Sequence, residues 1–145
     1  MTIKKGIPAS GPYSRAVKFG ELVFVSGISP RNADGTKFKG TVEEEVKNVL
    51  ENINRILDDA GSSMDHVLKV TVMLRDEGDW ERMNSVYAGY FTKDPPARTT
   101  FQSEWGRASR WTLSPTFRRF RRALPERRHA RVCANLLLDP FEYLR

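Results

Sequence analysis

The feature that most constrains this chain is a helix with a single apolar face. Thr41 opens it and Glu44 follows three residues on, the pairing of a capping box that satisfies backbone N–H groups otherwise orphaned in the first turn. Val42, Val46, Val49, Leu50, Ile53, Ile56, Leu57 and Ala60 then recur at three- and four-residue spacings and line one stripe, while Glu43, Glu45, Lys47, Glu51 and Arg55 fall off it. Gly61 stands where a left-handed C-cap glycine belongs. Such a helix holds only when its stripe is covered, so a sheet must lie beneath it.

The remaining segments supply that sheet. Ala16, Val17 and Phe19, a Gly20-Glu21 turn and the run LVFVSG at 22–27 read as a hairpin. The continuous apolar Val23, Phe24 and Val25 predict a strand covered on both faces. A loop rich in Pro, Asn and Gly spans 28–40. In HVLKVTVMLRD, Leu68, Val70, Val72 and Leu74 alternate with Lys69, Thr71, Met73 and Arg75, which predicts a strand with one face inward. A second helix is expected over 79–91, with Asp79 as N-cap and Trp80, Met83, Val86, Tyr87 and Tyr90 on its apolar side. DPPA breaks it, and ARTTFQ at 97–102 is a short β-prone run. The order strand, strand, helix, strand, helix, strand predicts an α+β fold, one sheet with two helices on one face.

The pattern stops near Glu104. Residues 1–106 carry 8 Lys and 6 Arg against 15 acids, a balance of −1, whereas 107–145 carry 10 Arg and no Lys against 3 acids, a balance of +7. The chain therefore divides into a domain over 1–106 and an Arg-rich tail over 107–145, where no clear period is legible. The tail reads as an out-of-frame continuation, a true extension, or an arm for nucleic acid. The balance of the body argues against nucleic acid as the main partner.

Four pieces together, in order, resemble a known family: GPYSRAV at 11–17, the LVFVSG strand, VLKVTVMLRD followed by DWERMNSVYAGYF, and PPARTT at 95–100. Over about residues 8–104 the chain resembles the reactive intermediate imine deaminases, the Rid proteins. The resemblance implies a chorismate-mutase-like α+β fold, homotrimers with sites at subunit interfaces, and cofactor-free hydrolysis of enamines or imines to ketones and ammonia. It makes Arg98 the grip on a substrate carboxylate, puts Tyr13, Ser26 and Gly27 in the pocket wall, and has Asn84 support the site. Thr100, which stands where many members have Cys, is counted with the substrate-binding residues. The family's last core strand, with its catalytic glutamate, is missing or replaced here.

Chemistry supports part of this on its own terms. Arginine suits a carboxylate because its planar fork makes two parallel hydrogen bonds and stays charged; the ordinary alternative for Arg98 is an internal ion pair or a surface position. Tyr13 is a phenol for the substrate nitrogen or water, or a packed turn aromatic. Glu104 is an acid that could stand in for the missing glutamate, or a solvated one. His66 reads as surface. Two His and a lone Cys133 argue against a zinc or iron site, and no Gly-rich phosphate loop is present. The expected ligand is a small imino or enamino acid such as 2-aminoacrylate, or an aminomuconate-like intermediate. The rival is a carboxylate-binding or regulatory protein of the same fold without turnover. No apolar run reaches membrane length, no secretion signal is evident, and an unpaired cysteine fits a reducing cytoplasm.

Overall fold

The computed structural model describes residues 2–3, 11–103 and 131–137. In chain order they form β1 (Thr2–Ile3), β2 (Ala16–Phe19), β3 (Leu22–Ile28), α1 (Val42–Asp59), β4 (Val67–Leu74), α2 (Trp80–Tyr90), β5 (Ala97–Gln102) and β6 (Arg131–Leu137), with 3-10 turns at Met64–His66 and Glu77–Asp79. The six strands make one sheet in the order β1-β2-β3-β6-β4-β5. β1, β2 and β3 pair antiparallel, whereas β3, β6, β4 and β5 run parallel.

Helix α1 starts as the capping box dictates. Glu44 N–H donates to Thr41 Oγ1 at 3.3 Å, and Thr41 N–H donates to Glu44 Oε2 at 2.8 Å. Its stripe is the core: Val46, Val49, Leu50, Ile53, Ile56 and Leu57 are all at most 4% exposed. Each such side chain contributes about 1.5–3 kcal/mol by leaving water. Gly61 ends the helix at φ +73°, a left-handed turn that costs a residue without Cβ nothing. Beneath the stripe lie Val23, Val25 and Ile28 of β3, Val70, Val72 and Leu74 of β4, and Ala134 of β6, while α2 adds Met83 and Tyr87 to the same cluster.

Four expectations change. Glu45 is buried on α1 rather than outside the stripe, and Asn52 is buried too, donating to the Arg31 carbonyl at 3.0 Å and so fastening the loop after β3. Phe24 is 38% exposed: the helices cover one face of β3, and its apolar run does not mean cover on both. On β4, Val67 is buried and Leu68 is 44% exposed, because the register with β6 shifts between Val67 and Lys69. A bulge of this kind resets the alternation for the residue before it. At α2, Asp79 makes no side-chain cap; Asp76 instead accepts from Gly78 N–H at 2.8 Å at the 3-10 turn ahead of it.

The tail brings a further result. Residues 131–137, where the sequence showed no clear period, replace the missing core strand and occupy the slot between β3 and β4. Ala134 there is 2% exposed. Glu104, the Arg-rich stretch to residue 130 and the last eight residues lie outside the described residues. Ala134→Asp is expected to cost on the order of 3 kcal/mol or more in denaturant unfolding, since it buries a charge in the sheet centre. Val72→Ala should cost about 1–3 kcal/mol by cavity formation, and Leu68→Ala less than about 1 kcal/mol.

Candidate functional site

The site begins at the corner that delivers β5. Asp94 has φ +45°, a left-handed conformation unusual for a residue with a side chain and doubly so before proline. Past Pro95 and Pro96, β5 runs parallel to β4 with Arg98 beside Val70 and Thr100 beside Val72. Val70 and Val72 face the helices, so Arg98 and Thr100 face them too, beneath α2.

Helix α2 meets Arg98 with one side. Arg98 Nη1 donates to Asn84 Oδ1 at 2.7 Å and lies 3.8 Å from Met83 Sδ. Its Cζ is 4.7 Å from the Tyr87 ring centroid and 5.1 Å from that of Trp80. Positions 80, 83, 84 and 87 share a face at helical spacing. The guanidinium is thus oriented by one amide and held between aromatic rings, which stabilise a cation without neutralising it. Among the described residues it makes no ion pair, and Nε and Nη2 make no hydrogen bond. Thr100 Oγ1 and the Tyr87 hydroxyl, both buried, also have no hydrogen-bond partner among the described residues. Burial pushes the Tyr87 phenol above its ordinary pKa, and the Arg98 charge opposes that rise.

The other expected residues lie elsewhere in the chain. Ser26 Oγ donates to the Ser14 carbonyl at 2.6 Å, and Ser26 N–H donates to the Arg15 carbonyl at 2.8 Å. Gly27 sits where the β3–β6 register shifts. Tyr13, 49% exposed, lies in the segment leading to β2. Ser26 and Gly27 thus lie on β3 and Tyr13 ahead of β2, whereas β5, which carries Arg98, is the far edge of the sheet. Glu104 lies outside the described residues. His66 Nδ1 pairs with Ser63 Oγ at 3.0 Å in the 3-10 turn before β4.

Sequence reasoning placed Trp80 and Tyr87 with the core and missed that their rings serve Arg98; the available signal was their helical register with Asn84. Arg15 was missed as well. It is 7% exposed, and burial pushes its guanidinium pKa down, opposed by Tyr13 and reinforced by nearby Arg31. A cavity of about 390 Å³ opens among Val42, Glu45, Leu74, Arg75, Asp76, Asp79 and Gln102. Its three carboxylates suit an anion poorly and Arg98 does not line it, so the chemistry assigned here stays with Arg98.

Helix α2 is fastened to α1 by Arg82, whose Nε and Nη2 donate to Glu43 Oε1 and Oε2 at 2.8 Å each. The hydrogen bond from Arg82 holds the Glu43 carboxyl at about 2, against an ordinary 4.5. A carboxyl depressed in the folded state stabilises above its unfolded pKa, and that contribution fades as pH falls from about 4.5 toward 2. Both side chains are solvent-exposed, so the effect is small and salt-sensitive. Glu43→Gln should lower Tm slightly at pH 7 in low salt, and the difference from wild type should vanish near pH 2 and shrink in 0.5 M salt, as thermal melts across pH can check.

Fold and site together define a single-sheet α+β protein with an arginine-centred site under its second helix. The family model described as Endoribonuclease L-PSP matches residues 3–108. A RutC family protein of Pyrococcus abyssi is 45% identical over 93 residues, covering 63% of this chain and 73% of its own. Reactive Intermediate Deaminase A, chloroplastic, of Arabidopsis thaliana is 39% identical over 103 residues, 70% of this chain but 55% of that protein. Among solved structures, yeast Mmf1 superposes with a TM-score of 0.68 at 34% identity, covering 71% of this chain and 84% of that one. RidA from the Antarctic bacterium Psychrobacter gives 0.67 at 33% identity, with 71% and 85% covered. The chain belongs to this L-PSP, or Rid, family.

Proposed function

We propose that the protein is a cofactor-independent deaminase of small 2-imino or 2-enamino acids, releasing a 2-oxo acid and ammonia. The observation that carries this reading is Arg98: a guanidinium oriented by Asn84 and flanked by two rings, with no acid paired to it among the described residues. Such a group is a receptor for a carboxylate. A 2-imino acid needs little more, because its C=N carbon is already electrophilic: hold the carboxylate, place one water near that carbon, and move a proton to the departing ammonia. The family includes a relative named as a reactive intermediate deaminase, which supports the same chemistry.

The proposal includes assembly, expected as a homotrimer. Arg98 on β5 and the Ser26–Gly27 end of β3 are separated by three strand spacings, about 14 Å, and Tyr13 precedes β2, one strand further off. A small acid cannot touch both within one copy, so a site using both sets needs a neighbour's wall. The face of the sheet away from the helices supports this, since Val17, Phe19, Phe24 and Phe101 are 42%, 73%, 38% and 45% exposed there. A reducing compartment accords with the single cysteine; no described helix is long and apolar enough to cross a membrane.

The second reading, carboxylate binding without turnover, is favoured by one observation: no carboxylate is paired with or donated to by Arg98 among the described residues, so a proton-handling acid is not in view beside it. A coupled assay on freshly generated 2-aminoacrylate separates the two. Accelerated ammonia release is expected for wild type, and Arg98→Ala should lower kcat/KM by about 100-fold or more, the worth of a charged bidentate contact. Wild-type protein that binds pyruvate yet leaves ammonia release at the background rate would establish the binding reading instead. Sedimentation equilibrium is expected to give three copies, and Phe24→Asp to shift the distribution toward monomer.

A further inference from the structure

Two hydroxyls near Arg98 lie buried without a partner among the described residues, that of Thr100, expected to bind substrate, and that of Tyr87, which has no assigned role. Tyr87 is 7% exposed and its hydroxyl is buried without a hydrogen-bond partner among the described residues. Thr100 Oγ1 is in the same condition. Buried hydroxyls are nearly always bonded, because an unmet one destabilises the fold that carries it. These two are not scattered: the Tyr87 ring lies 4.7 Å from Arg98 Cζ, and Thr100 is two residues from Arg98 on the same face of β5.

Tyr87 is also placed rather than loose. Its ring packs on Phe91 at 4.6 Å between centroids and belongs to the core cluster, and the helix that carries it fixes Asn84 on Arg98. The surroundings of Arg98 therefore hold, among the described residues, a cation without an acid and two hydroxyls without partners. A ligand that satisfies all three must carry an anion and, one or two bonds away, a second polar atom.

We infer that Tyr87 is a ligand-binding, specificity-determining residue of this site, its hydroxyl acting with that of Thr100 on the heteroatom at C2 of the acid that Arg98 holds. A hydroxyl both donates and accepts, which matches an imine =N–H; it can equally donate to a 2-oxo group. A plain carboxylic acid leaves both hydroxyls unmet and is rejected on that account, the way a site built for hydrogen bonding rejects the analogue that lacks them. The inference rests on the reading of Arg98 as the carboxylate grip, and it fixes the ligand class as C2-heteroatom acids.

The test uses stable probes on the full chain, with affinity read by calorimetry: pyruvate, and propanoate, which lacks only the 2-oxo group. Wild type is expected to prefer pyruvate. Tyr87→Phe and Thr100→Val are each expected to weaken pyruvate roughly tenfold, the scale of one hydrogen bond, with propanoate unchanged; Thr100→Ser, which keeps a hydroxyl, should retain the preference. Because each variant removes an unmet hydroxyl, the ligand-free Tm should stay level or rise. The inference is overturned if Tyr87→Phe binds pyruvate like wild type, or if its ligand-free Tm drops while the pyruvate preference persists, which would mark the hydroxyl as structural. Loss of preference in Tyr87→Phe together with background ammonia release in wild type would uphold this inference and sink turnover. Unchanged pyruvate binding in Arg98→Ala would sink the grip itself and the inference with it.

Discussion

The fold depends on one slot in its sheet. β3 and β4 do not pair with each other; each pairs with β6, which lies between them and parallel to both. Without that strand the described residues fall into two ribbons, β1–β2–β3 and β4–β5, bridged only by the helices above. Ala134 shows what the slot demands: small and apolar, 2% exposed, in the cluster that receives the stripe of α1. The strand that fills the slot comes from 131–137, and its partners lie at 22–28 and 67–73. Such pairings close long loops before they return any burial, so the sheet centre is entropically demanding to form.

The same topology sets the character of the site. β5 is the edge of the sheet, so Arg98 has β4 on one side and, among the described residues, no strand on the other. Helix α2 covers the residue from above and contributes an amide and two rings, all neutral. A carboxylate in place of Asn84 would have consumed the charge; an amide orients it and leaves it to a ligand. Partial removal from water then strengthens whatever anion binds, because the pair is less screened than it would be in bulk solvent.

What could be read from the sequence follows from how local each signal is. Helix α1 was legible to its caps, since its period, capping box and terminal glycine are written within one segment. β4 was legible over Val70, Val72 and Leu74 but not at Leu68, because a bulge is a property of pairing with β6. β6 was invisible for a stronger reason: RVCANLL carries no marked alternation, and only the vacancy between β3 and β4 makes it a strand. In the site, Arg98 and Asn84 came from resemblance and not from period. Trp80 and Tyr87 were taken for ordinary core because an aromatic on an apolar helix face is the same letter whether its ring meets a methyl group or a guanidinium.

Those two outcomes connect through the outer face of the sheet. The helices cover one side only, and the other presents Phe19, Phe24 and Phe101, which favours burial by another surface. The sheet order also holds Ser26 and Gly27 of β3 away from Arg98, a separation that no side-chain rotation closes. A neighbouring copy laid against that face would meet the apolar demand and could bring a second wall toward the first copy's edge strand. Assembly and ligand binding would then be linked, because whatever favours the docked neighbour also completes the surroundings of Arg98, and a ligand that touches both copies would in turn stabilise the assembly by mass action.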